Sequence, residues 1–101
     1  MSYVDYVRHR YLITYDIVDD KRRTKIFDLC NNEGDRVQYS VFIAELNKME
    51  LIILKGEINK FIDLETDQVL FVDLGVSKRS SLEIISSLGK RYEPPVRSVV
   101  I

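Results

Sequence analysis

Three apolar runs with strand character are separated by two stretches of helical periodicity, and that order leaves few folds open to the chain. Arg10–Ile17 (RYLITYDI) is rich in β-branched and aromatic residues and reads as a buried strand. Alternation puts Leu12, Thr14 and Asp16 on one face and Tyr11, Ile13, Tyr15 and Ile17 on the other. Asp19 or Asp20 caps a helix predicted to run to about Asn32, with Ile26, Phe27, Leu29 and Cys30 as its apolar stripe. Asn31-Asn32-Glu33-Gly34 stops it, with Gly34 expected as a left-handed cap. Arg36–Leu46 (RVQYSVFIAEL) lacks a helical period and reads as two short strands with a tight turn or bulge near Tyr39–Val41. Asn47 and Glu50 have the spacing of a capping box. They open a second helix, predicted to about Ile62, that aligns Leu51, Leu54, Ile58, Phe61 and Ile62. After a polar turn at Leu64–Asp67, Gln68–Leu74 (QVLFVDL) is nearly continuously apolar and reads as a central strand. Gly75–Ser81 is a loop, Leu82–Ser86 a short final strand, and Ser98–Ile101 an apolar tail beyond Pro94-Pro95.

The order strand, helix, strand, strand, helix, strand is the α+β ferredoxin-like βαββαβ sandwich with an additional short C-terminal strand. Residues 1–9 read as an N-terminal extension and 10–101 as one domain, which 101 residues can sustain with a core of their own. Two helices cover one face of the sheet and leave the other open. Tyr39, Val41, Leu70 and Val72 are candidates for that open face, and its apolar character predicts a homodimer. The tail region, about 82–101, is expected in the dimer contact.

Composition narrows the chemistry. One cysteine, Cys30, excludes an internal disulfide framework and a Cys-based zinc cluster; one histidine, His9, excludes a multi-His metal site within one chain. Cys30 lies on the apolar stripe and reads as a structural thiol. No Walker loop, dinucleotide-binding glycine pattern or serine-nucleophile elbow is present. There is no apolar run of about 18 residues and no signal-peptide core near the start, so a cytoplasmic protein without membrane contact is expected. A net charge of −1 excludes nucleic-acid wrapping by overall charge and requires local patches. One candidate patch is Lys21, Arg22, Arg23 and Lys25; the other is Lys78, Arg79, Lys90, Arg91 and Arg97, opposed only by Glu83 and Glu93. Both are equally compatible with solvated faces.

Asp16 is the acid of most interest, because it closes the first strand between Tyr15 and Ile17. It either satisfies the following turn and helix or binds a divalent cation. One carboxylate is a poor Mg²⁺ site, whereas two facing each other across a dimer axis share a proton or recruit a cation. Arg23, Lys25 and Arg36 are candidate phosphate ligands near it.

The segments YLITYDI, DDKRRTKI and GDRVQYSVF, in this order and spacing, resemble the CRISPR-associated protein 2 family over about Tyr11–Leu74, and the ending LGKRYEPPVRSVVI is also similar. The resemblance implies a ferredoxin-like homodimer in spacer acquisition, with Asp16 as catalytic residue and Mg²⁺ ligand facing its mate. It implies a metal-dependent endonuclease acting on single-stranded RNA or double-stranded DNA. The alternative it carries is a non-catalytic DNA-binding bridge between dimers of the CRISPR-associated protein 1 integrase. Tyr15, Arg23, Arg36, Ser40 and Phe42 match positions implicated in activity or in shaping the site, and Lys25 stands where some members carry arginine. The same positions also have plain structural readings, Tyr15 and Phe42 as core and Ser40 as a turn residue. In this family the final strand crosses to the partner's sheet, which is the role expected of Leu82–Ser86. The extension before the first strand departs from members that begin almost directly at it. A small-molecule-sensing ferredoxin-like dimer is the reading that fold alone leaves open.

Overall fold

The computed structural model describes residues 6–76 and 78–94. Seven elements follow one another: β1 (His9–Asp16), α1 (Asp20–Glu33), β2 (Asp35–Gln38), β3 (Val41–Leu46), α2 (Lys48–Asn59), β4 (Gln68–Asp73) and the single turn α3 (Ser81–Ile84). The sheet order is β2-β3-β1-β4, and β1 pairs antiparallel with both β3 and β4. The ferredoxin-like α+β order expected from the sequence is therefore present.

The period-two alternation of β1 sets the layers. Tyr11, Ile13 and Tyr15 are buried, as are Phe42, Ala44 and Leu46 of β3. Ile26 and Cys30 of α1 and Leu54 and Ile58 of α2 close over them. Burial pushes the Cys30 thiol up to about 12, so it stays protonated and inert at neutral pH. The other sheet face carries Leu12, Thr14 and Asp16, opposite Val72, Leu70 and Gln68 of β4. Leu70 and Val72 remain 47% and 42% exposed in the single chain.

Local signals explain most boundaries. The Asp19 carboxylate accepts the Arg22 N–H at 2.9 Å and starts α1. Asn47 and Glu50 form the reciprocal box, both hydrogen bonds 2.9 Å long. α2 ends at Asn59, earlier than the periodicity predicts. There the Lys60 and Phe61 N–H groups donate to Glu57 and Ile58 in a tightened last turn.

Three expectations are corrected. Gly34 is extended, with φ −151°, not left-handed. Glycine is required there by a close approach: a Cβ would lie 2.5 Å from the Ile43 carbonyl oxygen and 2.8 Å from the Ala44 Cβ. Gly34→Ala is expected to destabilise by about 1–3 kcal/mol through a shift of α1 against β3. Thermal melting checks this, at roughly 4–8 °C per kcal/mol for a chain of this size. The second correction is Leu82–Ser86, which does not form a strand. Ser81–Ile84 is a helical turn, because the Glu83 carboxylate accepts the Ser80 N–H at 2.9 Å and the Ser80 carbonyl accepts from Glu83 and Ile84. That cap outweighs the β-branched pair Ile84-Ile85. The third is Tyr39, which belongs to the β2–β3 turn beside Arg36 instead of the open sheet face. β1 starts at His9, one residue before the predicted Arg10: His9 pairs with Leu46, and Arg8 reaches the Glu45 carbonyl and the Glu50 carboxylate. The tail Ser98–Ile101 and residues 1–5 lie outside the described residues.

Candidate functional site

Asp16 ends β1, and its exposed side chain projects from the open face. Tyr15, one residue earlier, points the other way and is 5% exposed. Its ring stacks on Phe42 at 6.3 Å, and its N–H donates to the Ser40 carbonyl at 3.2 Å. Burial pushes the Tyr15 phenol up to about 12, with Cys30 adding to the rise. It is a neutral hydroxyl at physiological pH and can donate a hydrogen bond but not act as a base. Phe42 is fully buried between Tyr15 and Phe27, whose ring meets it edge-on at 5.6 Å. It is therefore core, with no surface to offer a ligand. Ser40 is half-buried in the hairpin turn that its carbonyl ties to β1.

The arginines are held more firmly than a solvated patch would be. Arg23 donates to the Ile17 and Val18 carbonyls at 3.0 and 3.1 Å and to the Asp20 carboxylate, which clamps its guanidinium at the end of β1. Asp20, and after it Tyr39, raise its pKa above the ordinary arginine value. Arg36 pairs with Phe42 in register and so emerges on the helix side of the sheet. Its guanidinium lies over the rings of Phe27 and Tyr39 at 5.3 and 5.4 Å, and its Nε donates to the Gln38 carbonyl at 3.3 Å. Tyr15, Arg23, Thr24, Phe27, Arg36 and Tyr39 line a cleft of about 250 Å³. Lys25 is not part of it; its ammonium sits 4.7 Å from the Phe61 ring centre, towards the end of α2.

Asp16 thus stands on one face of the sheet, and the arginine cleft opens on the other. Sequence reasoning placed all of these groups near one another, and the structure divides them. It also missed Arg22, read as one member of a basic patch. Arg22 makes a two-point ion pair with Asp67, at 2.7 and 3.2 Å, and the Asp67 side chain has no solvent exposure. The Asp63 N–H donates to the same carboxylate at 2.8 Å. This pair fixes the start of α1 against the entry to β4, where Asp16 pairs with Gln68. The Arg22 guanidinium and the Asp63 N–H hold the Asp67 carboxyl below the usual carboxylate range. A carboxyl lowered on folding stabilises the protein above its unfolded pKa, near 4. That contribution is lost as pH falls through the folded value. Thermal stability is therefore expected to drop on acidification below about pH 4. Asp67→Asn should be less stable at neutral pH and show a shallower drop, as read from melting temperatures across the pH range.

No signal in a single sequence links Arg22 to a residue 45 positions away. The loop residue Asp67 just before an apolar strand was the only hint.

Comparison with known proteins decides the family. The sequence pattern described as CRISPR associated protein Cas2 matches residues 9–81. The chain belongs to the Cas2 family. A CRISPR-associated endoribonuclease Cas2 of Geobacter sulfurreducens is 32% identical over 95 residues, covering 94% of this chain and 99% of that protein. CRISPR-associated endoribonuclease Cas2 1 of Rhodospirillum rubrum is 38% identical over 93 residues, covering 92% and 90%. Among solved structures, a hypothetical protein from Thermus thermophilus superposes with a TM-score of 0.70 at 31% identity, over 87% of this chain and 99% of that one. Streptococcus pyogenes Cas2 superposes with a TM-score of 0.66 at 28% identity, over 79% and 99%. The Cas2 match covers β1 through β4, and with them every candidate residue from Tyr15 to Phe42.

Proposed function

We propose that the chain is a CRISPR spacer-acquisition protein that acts as a homodimer, binds nucleic acid and cuts phosphodiester bonds with Mg²⁺ held by Asp16. The observation that carries this reading is the position of Asp16. It is an exposed carboxylate at the carboxyl end of β1, on a sheet face that carries Leu12, Leu70 and Val72 beside Thr14 and Gln68. Those apolar groups favour covering the face with a second copy, which would bring a second Asp16 to the same surface.

The residues fit the metal only in that setting. Among the described residues no group of three or more His, Cys, Asp and Glu is placed to hold an ion, so one chain supplies one carboxylate. Mg²⁺ tolerates this, because it binds through one or two carboxylates and completes its shell with water and phosphate oxygens. When bound it would lower the pKa of a coordinated water and offset charge on the phosphodiester. The chain's own contribution is to hold Asp16 at the end of a strand that pairs with β4 through Gln68 and with β3 as far as Thr14. Arg23 and Arg36 hold backbone phosphates across the sheet edge, without reading bases.

A second reading, a DNA-binding bridge between integrase dimers with Asp16 idle, is favoured by one feature. The anchored arginines open on the face opposite Asp16, so phosphate binding does not by itself deliver a scissile bond to the acid. Single-stranded RNA and duplex DNA incubated with the protein, with Mg²⁺ or with chelator, separate the two. Cleavage that disappears with chelator supports the nuclease and identifies its substrate. Duplex binding without cleavage under either condition supports the bridge. The cytoplasm is the expected compartment; among the described residues no helix is long and apolar enough to cross a membrane.

A further inference from the structure

We infer that Tyr39 is a stacking platform for an unpaired base, so that the arginine cleft takes single-stranded nucleic acid in preference to duplex. This rests on the nucleic-acid-binding part of the proposed function and names the form of nucleic acid that the cleft accepts.

The inference begins with layering. Phe27 is packed against the core, with its ring edge-on to the buried Phe42. Arg36 lies over Phe27, and the same guanidinium lies over Tyr39. Tyr39 is the outermost layer and is 67% exposed. A large aromatic ring so exposed at the tip of a hairpin is ordinarily mobile, but this one is supported. The Arg36 cation lies against its face, and Arg23, clamped to the Ile17 and Val18 carbonyls, lines the same cleft. The ring is thereby presented to solvent with its orientation set in advance, which reduces the entropy lost when a flat ligand stacks on it.

The chemistry around the ring selects the ligand. Two guanidiniums within one cleft of about 250 Å³ favour an anion, and an exposed aromatic layer favours a planar group. A nucleotide in a strand carries both, a base and a phosphate one backbone step away. In a duplex the base is already stacked and paired, so its face is not offered; in a single strand it is. Every base has such a face, so the platform confers strand-state selectivity without sequence selectivity.

The test uses the full chain, 2-aminopurine-labelled single-stranded oligonucleotides and duplexes of equal length, at several salt concentrations without divalent metal. Tyr39→Ala should weaken single-strand binding roughly 10-fold while changing duplex binding less than about twofold. Tyr39→Phe, which keeps the ring and loses only the hydroxyl, should recover most of the single-strand affinity. The 2-aminopurine fluorescence should be quenched on binding to the wild type and to Tyr39→Phe, and not to Tyr39→Ala. Unchanged melting temperatures would show that the exposed substitution leaves the fold intact. An equal loss on single strand and duplex would overturn the inference, because Tyr39 would then act only by placing the arginines. No loss on either would also overturn it. If the wild type binds neither form at low salt, the nucleic-acid reading itself fails and takes this inference with it.

Discussion

Phe42→Ala is expected to destabilise the protein by about 3–5 kcal/mol, a large part of the 5–15 kcal/mol available to a typical domain. Phe42 is fully buried and forms the centre of an aromatic group, with Tyr15 stacked at 6.3 Å and Phe27 edge-on at 5.6 Å. Truncation removes the contacts of a whole ring and leaves a void bordered by β1 and α1. Neither element can collapse into it, since β1 is paired on both sides. The same void loosens Phe27, on which Arg36 rests. Loss of nucleic-acid binding or cleavage in this variant therefore reports unfolding and not a missing ligand contact. Urea titration should show a lower midpoint with an unchanged slope. Phe42→Leu, which refills most of the space, should restore the greater part of both stability and activity. A stable Phe42→Ala protein without activity would place Phe42 in the site and contradict its assignment to the core.

The fold was legible where a local signal and a tertiary need coincide. The alternation in RYLITYDI divides β1 into two faces, and the structure buries the one that carries Tyr11, Ile13 and Tyr15. Asn47 and Glu50 satisfy each other within four residues, so the start of α2 needs no tertiary information. The reading was weaker where the partner lies far along the chain. Arg22 reads as a solvated cation until Asp67 is placed beside it. Gly34 reads as a helix cap until β3 is seen to pass too close for a side chain. Leu82–Ser86 has strand composition, yet the cap formed by Ser80 and Glu83 sets a helical turn instead.

The candidate site divides in the same way. Asp16 was singled out from its place at the end of an apolar strand, Arg23 and Arg36 as cations near it, and Tyr15 from the family resemblance. Alternation already put Asp16 and Tyr15 on opposite faces; what pattern alone could not convey is that Arg23 and Arg36 gather on the Tyr15 side. Nor does pattern reveal that Lys25 turns towards Phe61 while Arg23, two positions earlier, turns to the end of β1. Tyr39 was offered both at the hairpin turn and as open-face surface, and the structure puts it in the turn between β2 and β3.

The most direct test of the account is a comparison of wild type and Asp16→Asn, purified identically, for Mg²⁺-dependent cleavage and for thermal stability. Asn keeps the size of the side chain and removes the charge that a hard cation requires. Because Asp16 is exposed, its substitution is expected to change stability by no more than about 0.5 kcal/mol. Its effect on the chemical step should be far larger, about 10²–10⁴-fold, if the carboxylate is what holds the metal. The account predicts that cleavage is lost while melting temperature and nucleic-acid affinity are retained. Cleavage surviving in Asp16→Asn at the wild-type rate would contradict it, and would move the chemistry away from the end of β1.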